Sequence, residues 1–307
     1  MKRKHLTLFS LLLFLIFSAY GQMRIAPSSA MTVDGGQEQG VFWKIDKEGM
    51  EQPAYLFGTY HLLNEGFLNE WPGVHRAFEA SDEVVVEMVI DSSALGQAMM
   101  MGMMTDQTLE ALLDSSEFHM LDDETQQSLG MSLSQLNQMK PIVVSLLLTL
   151  SYNQAQFPEL ASIPGLPMDA YFGFEGEKAG KEVRGLETLL EQSELLYNYG
   201  TPEEQADDLV EMVREKEEAI QLTKDILVAY RDNDFQVLQE LGEDSADWGG
   251  MEELLDKRNE RWLKLLPGIL EEGKVFIAVG ALHLTGSKGL VHELREMGYT
   301  VEPAELK

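Results

Sequence analysis

Two short motifs place a histidine three residues after a glycine, Gly58–His61 and Gly280–His283, and each directly follows an apolar run. A neutral imidazole can accept a proton in catalysis or bind zinc, manganese, cobalt, iron or copper. A glycine just before it lets the backbone turn tightly and approach a ligand. A lone histidine at a strand end is more often structural, but the repeated context predicts that the two histidines serve one site.

Two glutamates lie where a carboxylate is unusual. Glu87 interrupts an otherwise apolar run at 84–90, and Glu187 stands between a short strand and a helix. A buried carboxylate is costly unless it is paired or bound to a metal, and one at a helix start interacts favourably with the helix dipole. The alternatives are a strand end that reaches solvent for Glu87 and a simple helix-start acid for Glu187.

Arg258 and Asn259 interrupt the apolar stripe of a helix predicted over about 251–265, on which Trp262 and Leu265 should face the core. An arginine on a buried face should find a buried carboxylate, and the two glutamates described above are the candidates. The alternative is an arginine whose stem lies on the core while its head reaches water.

The elements that must position these residues follow a repeated order. A strand, a Gly-x-x-His turn, a helix and a second strand follow one another at 54–90 and again, in the same order, at 274–302. In open α/β sheets, ligands bind beyond the carboxyl ends of the strands. The sequence therefore predicts an α/β fold with a mixed β-sheet core, in which the two similar units face each other across one cleft.

The composition changes at 92–164, where a methionine cluster at 99–104 and strongly apolar stretches predict a large helical insert. Farther along, Thr188 and Thr201 each have glutamate three residues later, the pattern of a capping box at a helix start. We expect one helix from Thr201 to Tyr230, because apolar residues recur along one side of this segment.

The charge and the absence of cysteine narrow the classes of function. The formal net charge is −29, and there is no cysteine. A phosphate backbone or an anionic lipid surface would be repelled, so we expect a peptide or small-molecule partner and no nucleic acid. Disulfides, cysteine nucleophiles and thiolate metal sites are excluded.

The N-terminus predicts export. A basic stretch at 2–5, an apolar stretch at 6–17 and small residues before position 22 have the form of a signal peptide over 1–21, cut after Gly21. The apolar stretch is shorter than the roughly 20 residues that span a bilayer, although an uncleaved anchor is the alternative. We expect a flexible leader at 22–39, one domain at 40–307 and a periplasmic or secreted location.

Taken in order, these segments resemble the TraB/GumN family, which is similar to the Tiki metalloproteases and more distantly to erythromycin-esterase-like and ChaN-like proteins. The resemblance covers about 40–303 and rests on the following stretches: Leu56–His61, the strand ending in Glu87, Gly165–Asp169, Gly185–Thr188 with Gln192, Arg258–Asn259, Val279–His283 and Gly289–Leu290. Each piece alone is weak, but their order is specific.

The resemblance implies a divalent metal, manganese, cobalt or zinc, as cofactor. By motif, His61, His283 and Glu187 become the candidate metal ligands. Gly58 and Gly280 become the glycines that shape the two turns.

The resemblance also implies catalytic roles. Glu87 and Glu187 are candidate ligand or general base, and Arg258 with Asn259 would orient a carboxylate or stabilise an oxyanion. The leading hypothesis is an exported metal-dependent hydrolase, a peptidase. The alternatives are a non-catalytic binding protein for a metal, haem or peptide signal, and an esterase-like hydrolase that works without metal.

Overall fold

The computed structural model describes residues 40–158, 160, 165–244 and 255–307. The expected signal peptide at 1–21 and leader at 22–39 lie outside the described residues. Among the helices that are described, none is long and apolar enough to cross a membrane.

A mixed β-sheet of six strands forms the centre of the described fold. The strands are β1 Phe42–Asp46, β2 Ala54–Thr59, β3 Glu83–Met88, β4 Glu182–Glu187, β5 Val275–Gly280 and β6 Thr300–Pro303. Their order across the sheet is β4-β3-β5-β2-β1-β6. The first four in this order run parallel, whereas β1 and β6 pair antiparallel. The predicted α/β class with a mixed sheet is confirmed.

Helices cover both faces of the sheet and build the insert. They are α1 Pro72–Ala80, α2 Leu95–Met101, α3 Leu109–Leu112, α4 Ser115–Leu129, α5 Pro141–Gln156, α6 Met168–Lys178, α7 Leu189–Tyr197, α8 Pro202–Arg214, α9 Lys216–Arg231, α10 Phe235–Asp244, α11 Lys257–Leu270 and α12 Leu290–Glu296. The predicted helical insert contains α2, α3, α4 and α5. The predicted capping boxes at Thr188 and Thr201 are both formed.

Successive side chains of each strand point to opposite faces of the sheet, so the strands contribute to two separate cores. Phe57 and Phe276 point into an aromatic-rich cluster on one face, and their neighbours Leu56 and Ile277 point into a cluster on the other. All six residues of β5 are buried, because this strand lies between two parallel neighbours and under helices on both faces. The insert packs a third cluster with α8 and the start of α9.

The single helix predicted from Thr201 to Tyr230 is wrong. The backbone of Glu215, at φ −107° and ψ 31°, leaves the helical region and separates α8 from α9. The apolar side continues past the break because α8 packs on α5 of the insert, whereas the end of α9 packs on the sheet. Periodicity alone does not register such a change of packing partner.

The helix predicted over about 251–265 also differs in its extent. Residues 251–254 lie outside the described part, and α11 runs on past Pro267 to Leu270. Leu265, expected on the buried stripe, is 48% exposed, because the buried side follows Trp262 and Leu266 instead.

Candidate active site

The carboxyl ends of the parallel strands meet at one edge of the sheet. Thr59 of β2 pairs with Gly280 of β5, and Met88 of β3 pairs with Glu187 of β4. The two Gly-x-x-His turns therefore leave adjacent strands side by side. Glu87 and Glu187 lie at the ends of the next two strands, so the candidate residues from distant parts of the chain share one region.

The two glycines serve the site in different ways. A Cβ on Gly58 would lie 2.8 Å from the Cα of Ala281, so glycine lets the first turn press against the second. Gly280 has a φ of −54°, which any residue can adopt. Its contribution is the backbone N–H, which donates to Glu87 Oε1 at 2.7 Å.

Arg258 of α11 lies at the centre of the cluster and is 3% exposed. Its Nη2 donates to Glu87 Oε2 at 2.5 Å and to Glu187 Oε1 at 2.6 Å, and its Nε donates to the same Glu187 oxygen at 2.9 Å. The guanidinium thus joins the ends of β3 and β4. The carboxylate that a buried Arg258 was predicted to need is supplied by both glutamates.

His283 is fully buried and bound through both ring nitrogens. Asn259 Nδ2 donates to the carbonyls of His283 and Lys288 at 3.1 and 2.9 Å, which turns Asn259 Oδ1 toward His283 Nδ1 at 2.8 Å. This assignment puts the ring proton on Nδ1. Nε2 then accepts from Arg258 Nη1 at 3.0 Å. Burial and the charge of Arg258 lower the pKa of His283 to about 3, so the ring is neutral at pH 7.

The neighbours of Glu87 keep its carboxylate ionised. Burial alone would raise its pKa, but the Arg258 guanidinium and the Gly280 N–H lower it to about 2. Gln192 Nε2 donates to Glu87 Oε2 at 3.2 Å. On the solvent side of the cluster, the half-exposed Arg261 donates to Glu187 Oε2 at 3.2 Å.

His61 differs from His283 in its surroundings. It is 8% exposed, and its ring lies 5.3 Å from the ring of Tyr60. Burial lowers the pKa of His61 to about 4, and the negative charge of Glu87 opposes this shift. The imidazole is therefore neutral at pH 7 and is coupled to Glu87 electrostatically.

Asp169, in the first turn of α6, belongs to the site although the sequence did not single it out as a functional residue. The segment before it is bonded to the chain after His61, with Met168 N donating to Leu63 O and Glu65 N donating to Leu166 O, both at 2.9 Å. Burial and the nearby Glu87 charge raise the pKa of Asp169 to about 7. Only the Gly165–Asp169 resemblance pointed to this region.

The predicted metal ligands do not converge on one point. Glu187 Oε1 and His283 Nε2 both contact Arg258, which lies between them. Within the described residues, no group of three or more histidines and carboxylates is arranged to hold a metal ion. For His61, His283 and Glu187 to share a metal, Arg258 would have to release both partners, so the three side chains as placed do not fit a shared ion.

Comparison with known proteins gives one finding. A model of the TraB/PrgY/gumN family matches residues 41–303 and so spans the sheet, the insert and every residue of the cluster. No curated protein and no solved structure matches the chain.

Proposed function

The chain belongs to the TraB/PrgY/gumN family, and from that premise we propose that the cluster is the active site of a hydrolase that cleaves peptide or ester bonds. One observation carries the proposal. His61 and Glu87 lie at the carboxyl ends of parallel strands, Asp169 lies in the first turn of α6, and both His61 and Asp169 are close enough to feel the charge of Glu87, with the pKa values of His61 and Glu87 lowered and that of Asp169 raised. Such environments divide the roles of acid and base between neighbouring groups.

Hydrolysis adds water to the carbonyl carbon and protonates the leaving group. The neutral His61 takes a proton from the attacking water, and the ionised Glu87 stabilises the imidazolium that results. Asp169, which is protonated below about pH 7, donates a proton to the leaving amine or alcohol. Arg258 and Asn259 hold Glu87 and His283 in place and need no contact with the substrate.

A metal-dependent peptidase, with His61, His283 and Glu187 binding Mn²⁺, Co²⁺ or Zn²⁺, stays a prediction. These nitrogen and oxygen donors suit such metals, but the reaction would require Arg258 to move first. The basic and apolar stretches at the N-terminus have the form of a signal peptide. They support the proposal that the hydrolase acts outside the cytoplasm.

The role of His61 is tested with purified protein and a broad panel of peptides and esters. We expect His61→Asn to lower kcat by about 10²- to 10⁴-fold, the usual contribution of acid–base catalysis. His119→Asn is the matched control, because His119 is exposed on α4 in the insert. Cleavage that is equal in wild type and His61→Asn would contradict the proposal, as would the absence of cleavage.

The pH dependence of kcat/KM tests the assignment of acid and base. Activity should rise with pH through about 4, where His61 loses its proton, and fall through about 7, where Asp169 loses its proton. Asp169→Asn should lower the rate and remove the descending limb. A rate that keeps rising through pH 8 would contradict the role of Asp169 as the acid.

A further inference from the structure

Tyr230, near the end of α9, connects two parts of the site that are far apart in the sequence. It is fully buried, and its hydroxyl donates to the carbonyl oxygen of Gly58 at 2.7 Å. The same hydroxyl oxygen lies 3.2 Å from the sulfur of Met168. Gly58 begins the turn that carries His61, and Met168 directly precedes Asp169.

The ring of Tyr230 is fixed from several sides. It stacks on Tyr60 with centroids 5.1 Å apart and lies 5.3 Å from the ring of Trp71. Just beyond it, Asn233 adopts a positive φ of 56°, and its side-chain oxygen accepts from the N–H of Val41 at 2.9 Å. The end of α9 is therefore anchored at β1 and β2, and the hydroxyl has a defined position.

The hydroxyl binds the first turn at Gly58, whose backbone is already held in place by other contacts. Gly58 already contacts the second turn closely at Ala281, and its N–H donates to Val41 O at 2.7 Å. The start of α6 is tied to the same turn through Met168 N and Leu63 O. Tyr230 thus brings the end of α9 into contact with both the first turn and the start of α6, which also contact each other.

We propose that Tyr230 is a positioning residue, whose hydroxyl holds the His61 turn and the start of α6 in the relation that hydrolysis requires. Tyr230 itself touches no reacting atom. The inference rests on the proposed function, because its catalytic consequence follows from the roles of His61 and Asp169. It goes beyond the resemblance, since Tyr230 lies in none of the stretches that carry it.

Tyr230→Phe removes the hydroxyl and keeps the ring. We expect kcat to fall about tenfold to a hundredfold with KM nearly unchanged, because small displacements of catalytic groups have effects of this size. The descending limb of the pH profile should move to lower pH, since a loosened α6 start admits more water to Asp169, which is already partly exposed. Tyr152→Phe is the matched control, because Tyr152 is buried to a similar extent in the insert.

A second readout does not depend on activity. With ¹³C-labelled aspartate carboxyls, the titration midpoint of Asp169 should fall in Tyr230→Phe toward its ordinary value and stay unchanged in Tyr152→Phe. Met168→Leu, which removes only the sulfur contact, should give a smaller shift in the same direction. If wild type cleaves nothing, the proposed function fails, but this titration still tests Tyr230. A wild-type midpoint of Asp169 in Tyr230→Phe would overturn the inference, whatever Met168→Leu shows.

Discussion

Arg258 is the residue on which the arrangement of the site depends most. Its guanidinium contacts Glu87, Glu187 and His283, which come from three different strands or turns. Breaking a buried ion pair by removing one partner is strongly destabilising, because the remaining charge is left without compensation. Arg258 therefore contributes to the stability of the fold as well as to the geometry of the site.

Arg258→Met keeps a long side chain and removes the charge. We expect the free energy of unfolding at pH 7 to fall by about 3–5 kcal/mol, measured by urea denaturation. Without the guanidinium, burial raises the folded-state pKa of Glu87 above its unfolded value. The variant should therefore lose less stability at pH 5, where protonation of the carboxylate in the folded state relieves part of the cost.

Arg214→Met is the control for this comparison. Arg214 is 54% exposed and pairs with Glu117 at the surface, so its loss should cost about 0–1 kcal/mol. Losses of similar size in the two variants would contradict the central place given to Arg258.

Among the residues of the site, some could be predicted from the sequence and others could not, for a physical reason. Arg258 could be predicted to pair, because a charge on the apolar side of a helix needs a partner. Asp169 could not, because its pKa depends on Glu87, which belongs to a distant strand. The different surroundings of the two histidines could not be predicted either, because the bonds from Arg258 and Asn259 to the two nitrogens of His283 come from a distant helix.

Among the elements, the contact between the two turns is the feature most easily tested. Gly58→Ala would place a methyl group 2.8 Å from the Cα of Ala281, so we expect stability to fall by about 1–3 kcal/mol through overpacking. Gly268→Ala is the matched control. Within the part of the chain that the structure describes, a Cβ on this glycine of helix α11 would meet nothing within 4 Å, so this change should stabilise the protein by about 0.5–1 kcal/mol.

In thermal denaturation, we expect Gly58→Ala to lower the midpoint temperature and Gly268→Ala to raise it. A Gly58→Ala protein as stable as wild type would show that the close approach of the turns is not required.

The strands themselves follow from their apolar runs, but their order does not. The sequence places β2, β3 and β5 correctly because each is a short apolar stretch that ends at a turn signal. The insertion of β5 between β3 and β2 depends on pairing between distant segments, which local pattern does not encode. The same limitation explains the missed break at Glu215, where the helix changes packing partner.

Across the whole molecule, α9 links the insert to the sheet. Ile220, near its start, packs in the core of the insert, whereas Leu227 and Tyr230 pack in the aromatic core of the sheet. The insert also supports α7, which carries Gln192 against Glu87. The helical region that the composition marks as distinct is therefore physically continuous with the site.

The site belongs to a strongly acidic protein, with a formal net charge of −29. The buried guanidinium of Arg258 is bound by the carboxylates of Glu87 and Glu187. A peptide or small-molecule substrate stays a prediction. In the proposed function, His61, Glu87 and Asp169 carry out hydrolysis while Arg258 remains in place.

The rate of hydrolysis after exhaustive removal of metals distinguishes this function from a metal-dependent one. Purified protein would be treated with a strong chelator, desalted and assayed on the best substrate of the panel, with His61→Asn beside it. We expect metal-free wild type to retain its activity and His61→Asn to lose it. Activity that disappears on chelation and returns with stoichiometric Mn²⁺, Co²⁺ or Zn²⁺ would contradict the metal-free mechanism and require Arg258 to give way to a metal.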